Sequence, residues 1–152
     1  MNVGSEPITK ASVGSFDFEG IFLAHYSRIV RVINSVVNDS GRSEDLAMEV
    51  FWKLWRKPPR KTSDAGGWLY RTAVRAGLDD LRRQARREKY ERLFSFMRAS
   101  ARPEQSCSTD ESRQRVRNVL ASLNKRHAEL LILRSDDMSY EEVAQALALN
   151  PA

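Results

Sequence analysis

The feature that most limits how this chain can fold is the stretch Trp68-Leu-Tyr-Arg-Thr-Ala-Val-Arg-Ala-Gly-Leu-Asp-Asp-Leu-Arg-Arg-Gln-Ala-Arg-Arg87. It has no proline, and its one glycine, Gly77, costs a helix only about 1 kcal/mol relative to alanine. On a helical wheel at about 100° per residue, Leu69, Ala73 and Ala76 fall together. Tyr70, Val74, Leu78, Leu81 and Ala85 lie beside them, so about half of the circumference is apolar. The opposite side carries Arg71, Arg75, Arg82 and Arg86, and Trp68 begins that side. Such a helix suits a polyanion: arginine neutralises phosphate and stacks on bases, and an aromatic ring gives an unpaired base a surface. A solvated cationic face beside a core tryptophan would produce the same pattern, and the wheel alone does not separate the two.

Composition supports the first arrangement without deciding it. The formal net charge is +5, and the segment from Trp52 to Arg92 holds 13 Lys/Arg against five Asp/Glu, leaving the remainder slightly acidic. Positive charge concentrated in this way points to nucleic acid or an anionic membrane surface. At 152 residues the chain has room for one ordinary domain or two small ones. No apolar run approaches the length that spans a bilayer, and Met1–Ser15 lacks the apolar core of a signal peptide. The single cysteine, Cys107, has no internal disulfide partner, so the expected location is a reducing cytoplasm.

Residues 1–15 are polar and patternless and are expected to be disordered. From Phe16, apolar residues recur at three- and four-residue steps (Phe18, Ile21, Phe22, Tyr26, Ile29, Val30, Ile33, Val36), which predicts a long helix ended by the turn Asn38-Asp-Ser-Gly41. Ser43 then reads as the N-cap of a second helix over 44–56, with Glu44 and Asp45 in its first turn. That helix is apolar over most of its circumference, leaving Asp45, Glu49, Trp52, Lys53 and Arg56 as a narrow polar ridge. Either it is buried between two others, with Glu49 and Lys53 an ordinary i,i+4 pair, or the ridge is a docking surface. Pro58-Pro59 stops it. The basic loop that follows, with Arg60, Lys61, Thr62 and Ser63, leads into Trp68 and reads as a connector or as a pocket for a displaced base.

Beyond Arg87 a charged extension (88–92) leads to the apolar patch Leu93, Phe94, Phe96 and Met97, and residues 99–112 read as a polar linker. After the linker one helical pattern breaks near Asn124, and Ser139-Tyr-Glu-Glu142 spells a capping box before a short helix. Asn150-Pro151 is turn chemistry. A capped short helix closed by a turn is the first half of a helix-turn-helix. The expected architecture is all-α: a helical domain over 16–98, a linker over 99–112 and a small helical domain over 113–152.

Three strings carry a family resemblance. They are Ser43-Glu-Asp-Leu-Ala-Met-Glu-Val-Phe-Trp-Lys-Leu-Trp55, the segment 68–83, and Leu120-Ala-Ser-Leu123 followed by Met138-Ser-Tyr-Glu-Glu-Val-Ala-Gln-Ala-Leu147. In this order, separated by a polar linker, they resemble the extracytoplasmic-function sigma factors, small promoter-specificity subunits of bacterial RNA polymerase. The resemblance implies a region 2-like promoter-melting domain joined to a region 4-like helix-turn-helix domain. It implies that Asp45, Glu49, Trp52, Lys53 and Arg56 dock on the clamp helices of the polymerase's largest subunit. It implies that Arg60, Lys61, Thr62, Ser63, Trp68, Arg71, Arg75, Arg82 and Arg86 hold the minus-ten element, with a non-template base flipped toward the loop. An anti-sigma factor is a further implied partner.

The chain departs from that family where Met48 replaces the usual glutamine, Arg75 the common asparagine and Asn124 a common proline. The family's recognition helix would follow Ala152, so the residues present are expected to bind the upstream promoter element weakly or without sequence preference. An alternative is a sigma-like interaction protein that competes for polymerase, or sequesters a regulator, without opening promoters. An enzyme is not expected. His25 and His127 are remote from one another, and no HExxH, Walker or glycine-rich fingerprint assembles a nucleophile, a metal site or a cofactor site.

Overall fold

Asp17 opens the first helix, its carboxylate accepting from the amide of Gly20 at 3.0 Å. Helix α1 spans Phe18–Val37 and ends at Asn38, a left-handed residue with φ 56°. The next helix follows sooner than expected. The computed structural model, which describes residues 16–98 and 108–149, starts α2 at Ser40 and runs it to Arg56. Its N-cap is Asp39, not Ser43: the Asp39 carboxylate accepts from the amide of Arg42 at 2.9 Å. Asn38 and Asp39 alone supply both the stop and the start, because asparagine tolerates the left-handed conformation and aspartate caps well. Ser43 is buried a turn into α2, its hydroxyl donating to the Asp39 carbonyl at 2.6 Å. Glu44 and Asp45 therefore lie beyond the first turn.

Helix α3 spans Ala65–Met97 and begins before Trp68, preceded by a single 3₁₀ turn over Thr62–Asp64. It carries the arginine-striped helix on through its charged extension, as the sequence suggests, and continues without a break into the apolar patch. Pairs one turn apart, Arg87–Glu91 and Arg92–Glu88, bridge the junction, and no proline interrupts it. Leu93, Phe94, Phe96 and Met97 consequently stand exposed on its last turns.

The core is built from the sides that periodicity selected. Ile29, Ile33 and Val36 of α1, Leu46, Val50, Phe51 and Leu54 of α2, and Leu69, Val74, Leu78 and Leu81 of α3 are all buried. Each such side chain contributes about 1.5–3 kcal/mol by leaving water. One polar pin crosses this bundle: Arg42 of α2 donates from Nε and Nη2 to Asp80 Oδ1 of α3 at 2.9 and 2.8 Å, and Gln84 donates to the other oxygen at 3.1 Å.

Helices α4 (Ser108–Ser122), α5 (Lys125–Ser135) and α6 (Tyr140–Ala146) complete the described chain. The break near Asn124 is real, and its side chain caps α5 by accepting from the amide of Arg126 at 3.0 Å. The capping box also forms: Ser139 Oγ accepts from the amide of Glu142 at 3.2 Å, and Glu142 accepts from the amide of Ser139 at 2.7 Å. All three helices pack on α3, and α5 also reaches α1. Buried residues of α5 and α6 (Ala128, Ile132, Leu133, Val143 and Ala146) and Met138 of the turn between them continue the core of the first three helices. Residues 108–112, read as linker, belong to α4, while residues 1–15, Cys107 and Asn150-Pro151 lie outside the described residues. The fold is all-α, with no strand among the described residues and no helix there long and apolar enough to cross a membrane.

Candidate nucleic-acid interface

Two faces carry the residues singled out from sequence. On α2, Asp45, Glu49, Trp52, Lys53 and Arg56 are all exposed, so this helix is not sandwiched between two others. Trp52 and Trp55 keep 55% and 64% of their surface in water, and the Arg56 guanidinium lies 4.7 Å over the Trp52 ring. Beside them, Phe18, Phe22, Met48 and Phe51 complete an almost wholly apolar groove. Large aromatic groups left in contiguous contact with water mark a surface awaiting a partner.

The second face is that of α3 and the loop before it. Pro58-Pro59 ends α2 and carries the chain across to the 3₁₀ turn, so that Lys57, Arg60 and Trp68 share a cleft with Trp52, Lys53 and Arg56. Arg60, Lys61, Thr62 and Ser63 are exposed. Trp68 combines both sequence readings: it is half-buried, packed partly on the core, and its remaining surface lines the cleft. Arg71 is adjacent, in a hollow with Ser63, Asp64 and Trp68.

Farther along α3 the expected open stripe of arginines is interrupted. Arg75 donates from Nε to Glu129 Oε1 of α5 at 2.7 Å, and Arg82 donates from Nη2 to the Leu123 carbonyl at 3.0 Å. Arg86 is exposed. Thus Trp68 and Arg71 sit with the loop, while Arg75, still 44% exposed, pairs with α5 and Arg82 with the turn between α4 and α5.

Sequence reasoning missed the partners in these contacts. Glu129 is buried although charged, and Asp136 accepts from Arg28 Nε at 3.1 Å and lies 3.7 Å from Arg31 Nε. The only local hint was an acidic residue interleaved among Ala128, Ile132 and Leu133, since Arg75 and Arg28 are 54 and 108 residues away. Arg28 also lies 5.1 Å over the Tyr70 ring, whose hydroxyl is pushed above its ordinary pKa by burial. His25, edge-on to the same ring at 6.0 Å, is held below its ordinary pKa by burial first and by Arg28 second. Among the described residues no group of His, Cys, Asp and Glu is arranged to hold a metal ion.

Residues 21–87, which span α1, α2 and the first two-thirds of α3, match the family model for sigma-70 region 2. Over 133 residues the chain is 29% identical to the ECF RNA polymerase sigma factor SigK of Mycolicibacterium vanbaalenii, an alignment covering 83% of this chain and 68% of that protein.

Proposed function

Because this chain belongs to the extracytoplasmic-function sigma factors, and so directs RNA polymerase in transcription initiation, we propose a division of labour between its two faces. The α2 ridge of Asp45, Glu49, Trp52, Lys53 and Arg56 docks on the clamp helices of the polymerase's largest subunit. The loop residues Arg60, Lys61, Thr62 and Ser63, with Trp68, Arg71, Arg75, Arg82 and Arg86, hold and melt the minus-ten element. The protein acts without catalysis or cofactor, works in the cytoplasm, and is a candidate for restraint by an anti-sigma factor.

The observation that carries this reading is the shared cleft. Trp52, Lys53 and Arg56 form one wall, and Lys57, Arg60 and Trp68 continue it into the cationic region. A polymerase-held surface running into a basic, aromatic pocket keeps separated strands beside the enzyme. Extruding a base costs a few kcal/mol of stacking and pairing, and restacking it on an aromatic ring returns about 1–3 kcal/mol. Each phosphate neutralised adds affinity that falls steeply with salt, with a slope of about 0.7 per contact on single strands.

The test is a crossed pair of variants assayed on polymerase and on polymerase-bound forked minus-ten DNA over a salt series. Arg71→Ala with Arg75→Ala should weaken DNA engagement about tenfold or more, flatten the salt slope by about one to two, and leave polymerase binding intact. Asp45→Ala with Glu49→Ala should do the reverse. Equal loss in both assays from either pair would remove the division of labour. Polymerase binding with no DNA opening in the unmutated protein would favour a competitor that does not initiate.

A further inference from the structure

The last turns of α3 carry an apolar surface that neither of the two proposed faces uses. It lies past residue 87, where the match to sigma-70 region 2 ends. Tyr90, Leu93, Phe94, Phe96 and Met97 are all exposed there, Phe96 and Met97 with 89% and 82% of their surface in water. They remain so with α4, α5 and α6 packed against the same helix.

The order of charges around this helix end says what could meet it. At about 100° per residue the five apolar side chains fall within an arc of about 160°. Arg86 and Lys89 lie in the same arc, on the turns just before it, and both are exposed. Arg87 and Arg98 rim one edge of the arc and Arg92 the other, while Glu88, Glu91 and Ser95 take the far side. Arg87 and Arg92 reach back to Glu91 and Glu88, but their side chains are 81% and 76% exposed, so water screens these pairs. An apolar arc rimmed by cations, with the acids turned away, is the pattern of a helix that lies in the plane of a bilayer surface. Its rings and aliphatic chains enter the acyl boundary, and its Lys/Arg meet anionic headgroups.

Other occupants fit less well. Residues 86–98 hold five Lys/Arg against two Asp/Glu, so a second copy would bring the same surplus against this one. Five apolar side chains also fall short of the roughly 20–30 residues a side that a stable protein interface uses. Duplex DNA would suit the cations, but its sugar-phosphate exterior gives Phe94, Phe96 and Met97 little apolar surface to enter.

We propose that the C-terminal end of α3 is an anchor for an anionic lipid surface, with Leu93, Phe94, Phe96 and Met97 in the acyl boundary and Lys89, Arg92 and Arg98 at the headgroups. The apolar arc is only about two helical turns long, so the helix lies on the bilayer without spanning it, and the binding is reversible.

The experiment is co-sedimentation of the whole chain with phosphatidylcholine vesicles, with and without about one-third phosphatidylglycerol, over a salt series. Binding should be at least about tenfold stronger to the anionic vesicles. Phe94→Ser with Phe96→Ser and Met97→Ser should weaken it about tenfold or more at unchanged helicity, since these side chains are exposed. Lys89→Gln with Arg98→Gln should weaken it about threefold or more and flatten its salt dependence. No binding to anionic vesicles would overturn the proposal. So would equal binding by the serine variant, which would assign the attraction to the chain's overall positive charge. A dimer in sedimentation equilibrium that the serine variant converts to monomer would give the surface to a second copy instead. Duplex DNA binding lost in that variant while vesicle binding persists would give it to nucleic acid.

Discussion

The outer side of α2 and the outer side of α3 begin from the same kind of pattern, an apolar face backed by charge and tryptophan, and end in opposite states. On α2 the ridge is left to water, and the guanidinium of its own neighbour Arg56 lies over the half-exposed Trp52 ring. On α3 the protein itself supplies counter-groups, Glu129 to Arg75 and the Leu123 carbonyl to Arg82. The contrast teaches that a charged helical face reports an affinity and leaves its occupant unspecified. What decides the occupant here is the chain downstream: α5 brings the buried Glu129 carboxylate to Arg75, whereas among the described residues no carboxylate is paired with Lys53 or Arg56 of the α2 ridge.

The change expected to do most is one that strikes the platform common to both faces. Asp80→Ala would leave the Arg42 guanidinium beside an apolar core and remove the acceptor of Gln84. Breaking a fully buried pair costs about 3–5 kcal/mol, and Arg42 can turn its partly exposed head to water, so a loss of about 2–3 kcal/mol is expected. Urea titration should show it, and the outer surfaces of α2 and α3 should fail together. If one face survived the loss, α2 and α3 would not form a single platform.

A smaller change should separate the two faces. Ser139→Ala removes the acceptor for the Glu142 amide and unpairs the capping box, worth about 1 kcal/mol. Hydrogen exchange should quicken about fivefold at the amides of α6 and stay unchanged in α2. Uniform acceleration across both would mean that α6 and the first three helices open as one cooperative unit.

How much of this was legible beforehand depended on the range of the interaction. The Ser139–Glu142 box, the stop at Pro58-Pro59, and most buried positions of α1, α2 and α3 are set within a turn or two of sequence and follow from it, whereas the burial of Val32 and Asp80 does not. The start of α2 was misread because Asp39 and Ser43 are equally good caps locally. What selects Asp39 is the left-handed Asn38 before it, which frees the chain to begin the helix at once. The exposure of the α2 ridge and the engagement of Arg75 were beyond local reading for a common reason. Both depend on which distant segment comes to rest against the helix, and the relevant carboxylate sits 54 residues away. The family strings pointed to the function more directly than the wheel did, while the geometry showed which arginines meet the chain's own C-terminal helices.

The finest separation of the two regions should come from pH. His25 is held below its ordinary value of 6.5 because burial beside Tyr70 disfavours the charged ring and Arg28, one turn on, repels it. Between the lowered folded value and 6.5 the unfolded chain binds more protons than the folded one, so stability rises with pH there. The contribution of neutral His25 is therefore complete above 6.5 and is lost as pH falls through the folded value. Glu142 follows the usual carboxylate sense: its bond from the Ser139 amide holds it below 4.5, so the cap is intact above 4.5 and fails as pH drops beneath it. Acidification should thus loosen the α1–α3 contact first and the α6 cap second. The urea midpoint measured from pH 7.5 to 5 should decline slightly in the wild type and stay flatter in His25→Gln, while exchange in α6 should quicken only at lower pH. A slope that persists unchanged in His25→Gln would assign the first step to another group and leave the two regions undivided by acid.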